Sequence, residues 1–553
     1  MKVGQYVIHR MKAVIKTIAQ FLSVSVLLTA LAACGGGGGG GDGFSPPDPP
    51  PTGWQPGVFL DADTFAAQCQ SPRNGIDPWT GNPYSDVQGT TTDENNFLRS
   101  YSHDTYLWYS EITDRDPGLY DNTLTYFDLL RTTATTPSGA AKDKFHFTYD
   151  SEEYYQLSQS GASAGYGAVW ALLAASPPRE IVVAYTEPNS PAVAPAANLV
   201  RGEEIISVNG VAVVDGDPAV LNAAFWPDAA GETHTFVARN PDTMIDRTIT
   251  MTSEIIVSAP VQGAKVINTP TGDVGYMVFN DHIATAEQAL IDAVDLLNAN
   301  NGGQGIDDLV LDIRYNGGGY LAIASEFAYM IAGNAATAGR TFELLQFNDQ
   351  HPVTNPITGA AISPTPFYST TLGPPFNGGP AGQPLPTLDL PRVFVLTGSG
   401  TCSASEAIMN SLRGIDVEVI QIGSTTCGKP YGFYPQDNCG TTYFTIQFRG
   451  VNEKDFGDYT DGFSPNNTPP AEAGTVIPGC SVADDFSKQL GDSSEERLSV
   501  ALAYRDGSAC PAASGLTPGV LSKADTPSTA AEAQLQEVIV PKSPWHTNRI
   551  MRP

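Results

Sequence analysis

Leu309-Val310-Leu311-Asp312-Ile313-Arg314-Tyr315-Asn316-Gly317-Gly318-Gly319 is a near-continuous apolar run that stops on three glycines. A run of that length and composition suits a strand covered on both faces of a parallel sheet. Its surroundings alternate in type. Gly275 to Asn280 reads as a strand and Ala284 to Asn298 as an amphipathic helix; Ile323 to Ile331 follows as a helix. Val393-Phe394-Val395-Leu396 is a second buried strand, then come a helix after Ser403 and strands at Val417 to Ile422 and Tyr443 to Phe448. Strands alternating with helices predict an α/β domain, here over residues 256–525. A Pro/Gly-rich insertion at 340–390 is expected to lie as a surface loop over the site.

Two motifs in this domain carry chemistry. Ser403-Ala404-Ser405-Glu406 opens a helix, and Lys429 follows Ser403 by 26 positions in Thr425-Thr426-Cys427-Gly428-Lys429. Serine is a weak nucleophile until a neighbouring base takes its proton. Lysine serves as that base only where burial or neighbours keep it neutral, and the residues around Lys429 bring apolar surface and no charge. The same S-x-x-E pattern is also the capping box that opens helices of any function. The glycines past Ile313 let backbone N–H groups approach a ligand. A phosphate loop would need a following G-K-[ST], which is missing. In a serine hydrolase the N–H groups of these glycines would form half of an oxyanion hole, with the N–H of Ala404 as the other half.

The ends of the chain point to export. Lys2, Arg10, Lys12 and Lys16 precede an apolar Phe21 to Leu31, and Leu31-Ala32-Ala33-Cys34 places small residues before a cysteine. This resembles a bacterial lipobox, with residues 1–33 as signal peptide and Cys34 lipidated. An ordinary secretory signal is the alternative reading. Gly35 after the cysteine implies, by the same resemblance, the outer membrane of a Gram-negative cell. Residues 34–53 are a Gly/Pro-rich tether, and residues 526–553 an Ala/Pro/Ser-rich tail. Seven cysteines less Cys34 leave six, an even set that predicts disulfides in an exported protein. Local separations favour Cys427 with Cys439 and Cys480 with Cys510, leaving Cys69 with Cys402. The six lack C-x-x-C zinc spacing, no calcium loop appears, and no cofactor is expected. A net charge of −30, from 59 acidic and 29 basic residues, excludes nucleic acid as a partner.

Upstream, residues 54–161 are aromatic-rich with helical spacing and read as a small helical domain. Residues 162–255 change to short strands and turns. Glu187-Pro188-Asn189-Ser190-Pro191-Ala192, the run from Leu199 to Gly210, and the loop Gly165-Tyr166-Gly167-Ala168 resemble a PDZ domain, with Glu203 where that family usually has aspartate. The resemblance implies that the loop binds a peptide's C-terminal carboxylate.

Taken in order, the PDZ-like unit, the stretch from Leu311 to Leu321, Ser403 to Ala407 and Thr425 to Gly432 resemble the C-terminal processing peptidases, or tail-specific proteases. The resemblance implies a crotonase/ClpP-like catalytic domain and serine endopeptidase activity on protein or peptide substrates. It implies Ser403 as nucleophile, Lys429 as general base, and Gly318 or Gly319 with Ala404 as oxyanion donors. Ser405 is the alternative nucleophile. The family usually carries a glutamine four residues after the lysine; here that position is Phe433, and Gln436 is the candidate replacement. His282 is a second candidate for site chemistry, against the plainer reading of a strand-end histidine. The competing function is a weak or inactive peptide-binding surface lipoprotein.

Overall fold

A computed structural model describes residues 54–78, 80–470, 473–513 and 549–550. The expected signal peptide, Cys34, the tether and most of the tail lie outside the described residues. Among those described, no helix is long and apolar enough to cross a membrane.

The centre is a six-stranded sheet. Its strands are β1 (Val261–Thr269), β2 (Gly272–Phe279), β3 (Asp308–Asp312), β4 (Arg392–Thr397), β5 (Glu418–Gly423) and β6 (Gly479–Ser481). They lie side by side in chain order, with β1 antiparallel to β2 and all later pairs parallel. Helices α1 (Ala286–Asn298), α2 (Leu321–Thr337) and α3 (Ala404–Gly414) connect β2 to β3, β3 to β4 and β4 to β5. Crossovers of one hand between strands laid down in sequence must all fall on one face. Alternate strand residues follow suit. Met277, Leu309, Leu311, Val393, Val395 and Val419 pack with those three helices. Val274, Tyr276, Val310, Phe394, Ile420 and Ile422 face the other way, under Leu498 and Ala501 of α4 (Glu496–Arg505).

The 340–390 segment is more than the surface loop expected from its Pro/Gly content. Thr341–Gln346 is a strand paired with Phe448–Val451, and Phe367, Phe376, Leu385, Leu388 and Leu390 join the main core. Buried Glu287 on α1 fastens it by accepting from the N–H groups of Leu372 (2.7 Å) and Gly378 (2.5 Å). Composition marked the lack of regular structure; it did not show where the apolar residues go.

Before the sheet, helices Thr91–Thr105, Thr123–Asp128 and Ser151–Ser160 alternate with irregular chain. Strand Phe147–Asp150 pairs with Thr441–Phe444. The strand expected over Tyr443 to Phe448 is in fact split between this pair and Phe448–Val451. Residues 168–252 build an antiparallel sheet of five strands in a row (Ala168–Ala174, Glu180–Thr186, Glu204–Val208, Thr233–Arg239 and Asp246–Thr252), with Val211–Ala212 beside the third. It has its own core around Trp170, Leu172, Leu221, Phe225 and Phe236.

Glu187 joins that sheet to the central one. Its N–H donates to Gly167 O (2.6 Å). Its carboxylate accepts from Ala259 N (2.9 Å), Gln262 Nε2 (3.1 Å) and Ser258 Oγ (3.4 Å), which also reaches Asp281 Oδ2 at 3.3 Å. Burial pushes the Glu187 carboxyl up to about 7, and the Asp281 charge adds to the rise. A carboxyl raised on folding binds its proton more tightly in the native state, so its contribution is full below about pH 4.5 and is lost as pH climbs to 7. The loss is roughly 3 kcal/mol. Urea unfolding at pH 5 and pH 8 should show a wild-type decrease that Glu187→Gln lacks; equal pH dependence in both would contradict this.

Candidate active site

The strand ends at Asp312 and Thr397 place two loops side by side, and Ser403 stands at the second. Its φ of 60° and ψ of −113° put a non-glycine residue in the left-handed region. Such strain persists only where the surroundings enforce it, and it concentrates at functional positions. Thr401 Oγ1 donates to Ile313 O (2.8 Å), and Cys402 N to Asn316 O (3.1 Å). The turn is thereby tied to the glycine loop. Ser405 Oγ donates to Asn316 O at 3.0 Å, which commits the alternative nucleophile to a structural bond.

Lys429 is fully buried. Its Nζ lies 4.4 Å from the Phe433 ring centre and 4.7 Å from that of Phe145. Phe433, four residues after the lysine, therefore offers the amine an aromatic face. Gln436 is on strand Gln436–Asn438, opposite Tyr443, and its Nε2 donates to Asp437 O at 3.1 Å.

Glu406 links the serine and lysine turns. This fully buried carboxylate accepts from Ser403 N (2.9 Å), Lys429 N (2.8 Å), Gly428 N (2.9 Å) and Thr426 Oγ1 (2.5 Å). Burial pushes its carboxyl above the usual range, and these four bonds pull it back. The S-x-x-E signature announced its bond to the Ser403 N–H; the three bonds to the lysine turn had no local signal. A disulfide between Cys402 and Cys427 spans the same two turns. The pairing expected from local separation is thus corrected. Cys480–Cys510 forms as expected, but Cys427 bonds Cys402, and Cys69 bonds Cys439 across 370 positions. Proximity in the fold overrode proximity in the chain, because parallel strands β4 and β5 bring their following loops together. Among the described residues, the two candidate metal clusters are Cys69, Glu94, Cys439 and Cys402, Glu406, Cys427. In each the cysteines are consumed by a disulfide, so no thiolate is left to ligate.

Gly318 (φ 107°) and Gly319 (φ 132°) both occupy backbone conformations that favour glycine. Gly318 N donates to Asn316 Oδ1 at 3.0 Å, so its N–H is already engaged. Gly319 differs. The bonds His282 N to Gly318 O (3.2 Å) and Tyr320 N to His282 O (2.8 Å) flank it on one edge. Its own N–H must then point to the other edge, where Arg549–Ile550 pairs in parallel with Gly319–Tyr320. Below the loop, buried Arg314 is clamped by Asp312 (2.9 Å), Asp484 (2.7 Å) and Glu495 (2.7 Å). Arg201 also binds Asp484, at 2.7 Å. Burial would raise the Asp484 carboxyl, but Arg497, Arg314 and Arg201 together hold it well below the usual range.

In the 168–252 sheet, Gly167 has φ of 74°, and a Cβ there would lie 2.2 Å from Ser190 Cβ. Gly165 ends the short strand Ala162–Gly165 and Ala168 begins the next. Tyr166 is buried against Phe236, so its ring belongs to that core.

A mixed α/β sheet whose strand ends bring together a strained serine, a buried lysine and a glycine loop has the parts of an acyl-transfer hydrolase. Residues 273–434, which contain Ser403 and Lys429, match the model of peptidase family S41. The chain is 28% identical over 245 residues to a carboxyl-terminal-processing protease of Picosynechococcus sp.. That match covers 44% of this chain and 49% of the relative, so the chain spans about half the relative's length. Among solved structures, a Bacteroides fragilis protein assigned to the S41 proteases aligns with a TM-score of 0.54 at 21% identity. It covers 79% of this chain and 99% of its own, a likeness of fold. The photosystem II D1 C-terminal processing protease aligns at 18% identity, with a TM-score of 0.42 over 75% of this chain and 98% of its own.

Proposed function

We propose that this protein is a serine endopeptidase of the C-terminal processing type, acting on exported or unfolded proteins. The observation that carries the reading is the coupling of Ser403 to the turn of Lys429 through Glu406 and the Cys402–Cys427 disulfide. Ser403 Oγ attacks the scissile carbonyl and Lys429 Nζ receives its proton. The tetrahedral oxyanion is held by the N–H groups of Gly319 and Ala404. Lys429 returns the proton to the leaving amine, and water then hydrolyses the acyl-enzyme. The outward edge of Gly319–Tyr320 accepts a strand, as its pairing with Arg549–Ile550 illustrates, and a substrate backbone would lie there.

On this reading the catalytic domain is crotonase/ClpP-like, with a helical unit at 54–161 before it. The 162–255 unit serves as a PDZ domain, holding a substrate C-terminus on the backbone of Gly165, Tyr166, Gly167 and Ala168. Lipidated Cys34 anchors the protein at the outer membrane. One observation favours the second reading, a peptide-binding lipoprotein of little activity: both Ser403 and Lys429 are 0% exposed, so substrate needs the site to open. Degradation of casein by the full chain, with Ser403→Ala as control, decides. Cleavage lost only in the variant supports the peptidase; no cleavage by either folded protein supports the binder.

A further inference from the structure

His282 follows β2 at the edge of the glycine loop, and its imidazole is fully buried beside Phe279, with ring centres 4.4 Å apart. Its main chain bonds both Gly318 and Tyr320, and a Cβ on Gly319 would lie 2.6 Å from His282 O. Its Nδ1 is 3.0 Å from Asn316 Oδ1. Asn316 is a junction. Its Nδ2 donates to Phe279 O (2.9 Å), its Oδ1 accepts from Gly318 N (3.0 Å), and its carbonyl accepts from Cys402 N (3.1 Å) and Ser405 Oγ (3.0 Å).

We infer that His282 is a positioning residue for the oxyanion loop: its Nδ1–H fixes Asn316, which in turn fixes the Gly318 peptide and aims the Gly319 N–H. The inference rests on the peptidase reading. The tautomer follows from the network. With Asn316 Nδ2 spent on a carbonyl, Oδ1 must face Nδ1 and the Gly318 N–H, so Nδ1 carries the proton. The ring is neutral as well, since burial pushes its pKa down to about 3 despite the bonds around it. A neutral donor holds the loop alike across the working pH range. An oxyanion donor is worth on the order of 10²–10³ in rate and depends on placement within a few tenths of an ångström.

The test uses the full chain, a quenched fluorescent peptide, and a peptide boronate compared with the same peptide as a free acid. His282→Phe keeps the bulk and removes the donor. It should lower kcat by about 10- to 100-fold with KM little changed, and weaken the boronate by a similar factor but not the free acid. His282→Asn, whose Nδ2–H can occupy the place of Nδ1–H, should restore most of the rate. The pH limbs should be those of the wild type. A His282→Phe variant as fast as wild type, or an Asn variant no better than Phe at equal melting temperature, overturns the inference. Hydrogen exchange of the amides at 316–320 gives a readout independent of activity: faster in Phe, restored in Asn. Should wild type cleave no better than Ser403→Ala, the peptidase reading falls, and unchanged exchange in His282→Phe would separately sink the loop-holding role.

Discussion

Lys429→Met is expected to reduce proteolysis by at least about 10³-fold while leaving the protein folded. The amine sits between the rings of Phe145 and Phe433 in a site closed to solvent. Methionine has similar length and packs well on aromatic faces, so removing the amine opens little space. With the packing kept, the melting temperature should stay close to that of the wild type. Lys429→Arg separates charge from basicity. Guanidinium does not give up its proton in proteins, so this variant should be as inactive as Met. Casein hydrolysis with circular-dichroism melting checks all three proteins. Substantial cleavage by either variant would remove Lys429 from the mechanism.

Glu406→Gln is the second large effect. The carboxylate accepts on both oxygens: Oε1 takes Thr426 Oγ1 and Gly428 N, and Oε2 takes Ser403 N and Lys429 N. An amide has one acceptor oxygen. Facing Ser403 N and Lys429 N, its NH₂ would meet two N–H donors; turned the other way, it donates to the Thr426 hydroxyl and leaves the Gly428 N–H without its bond in a fully buried place. An unsatisfied buried N–H costs about 1–3 kcal/mol, so a destabilisation of that size is expected. The two turns are also freed to move apart, and a displacement of an ångström costs on the order of 10²-fold in rate. The disulfide should keep the variant assembled, which lets thermal melting and peptide hydrolysis be read on one sample. Wild-type stability together with wild-type rate would refute the link.

Much of this was legible in the chain. The sheet strands β2 to β5 and helices α1 to α3 fell close to their expected ranges, apart from the last six residues of α2, because the strands are near-continuous apolar runs and the helices repeat apolar residues at helical spacing. The junctions were not legible. Asn316, Phe145 and the lysine-turn bonds of Glu406 matter through contacts between segments that flank different strands, and no periodicity records which segments meet. Two of the three expected cysteine pairings failed for the same reason. Spacing along the chain ranks Cys439 ahead of Cys402 as partner for Cys427, whereas the sheet order decides the reverse.

The bond between Cys69 and Cys439 has a consequence for how the protein matures. Synthesis delivers the N-terminal part first, and the next cysteine to follow Cys69 is Cys402. With Cys34 lipidated as proposed above, an oxidant that joined cysteines in order of appearance would couple those two, leaving the serine turn crosslinked to the wrong end of the molecule. Correct assembly therefore needs either delayed oxidation or thiol–disulfide exchange that undoes the early bond. Where oxidation is not delayed, the yield of active protein should depend on an isomerase as well as on an oxidant.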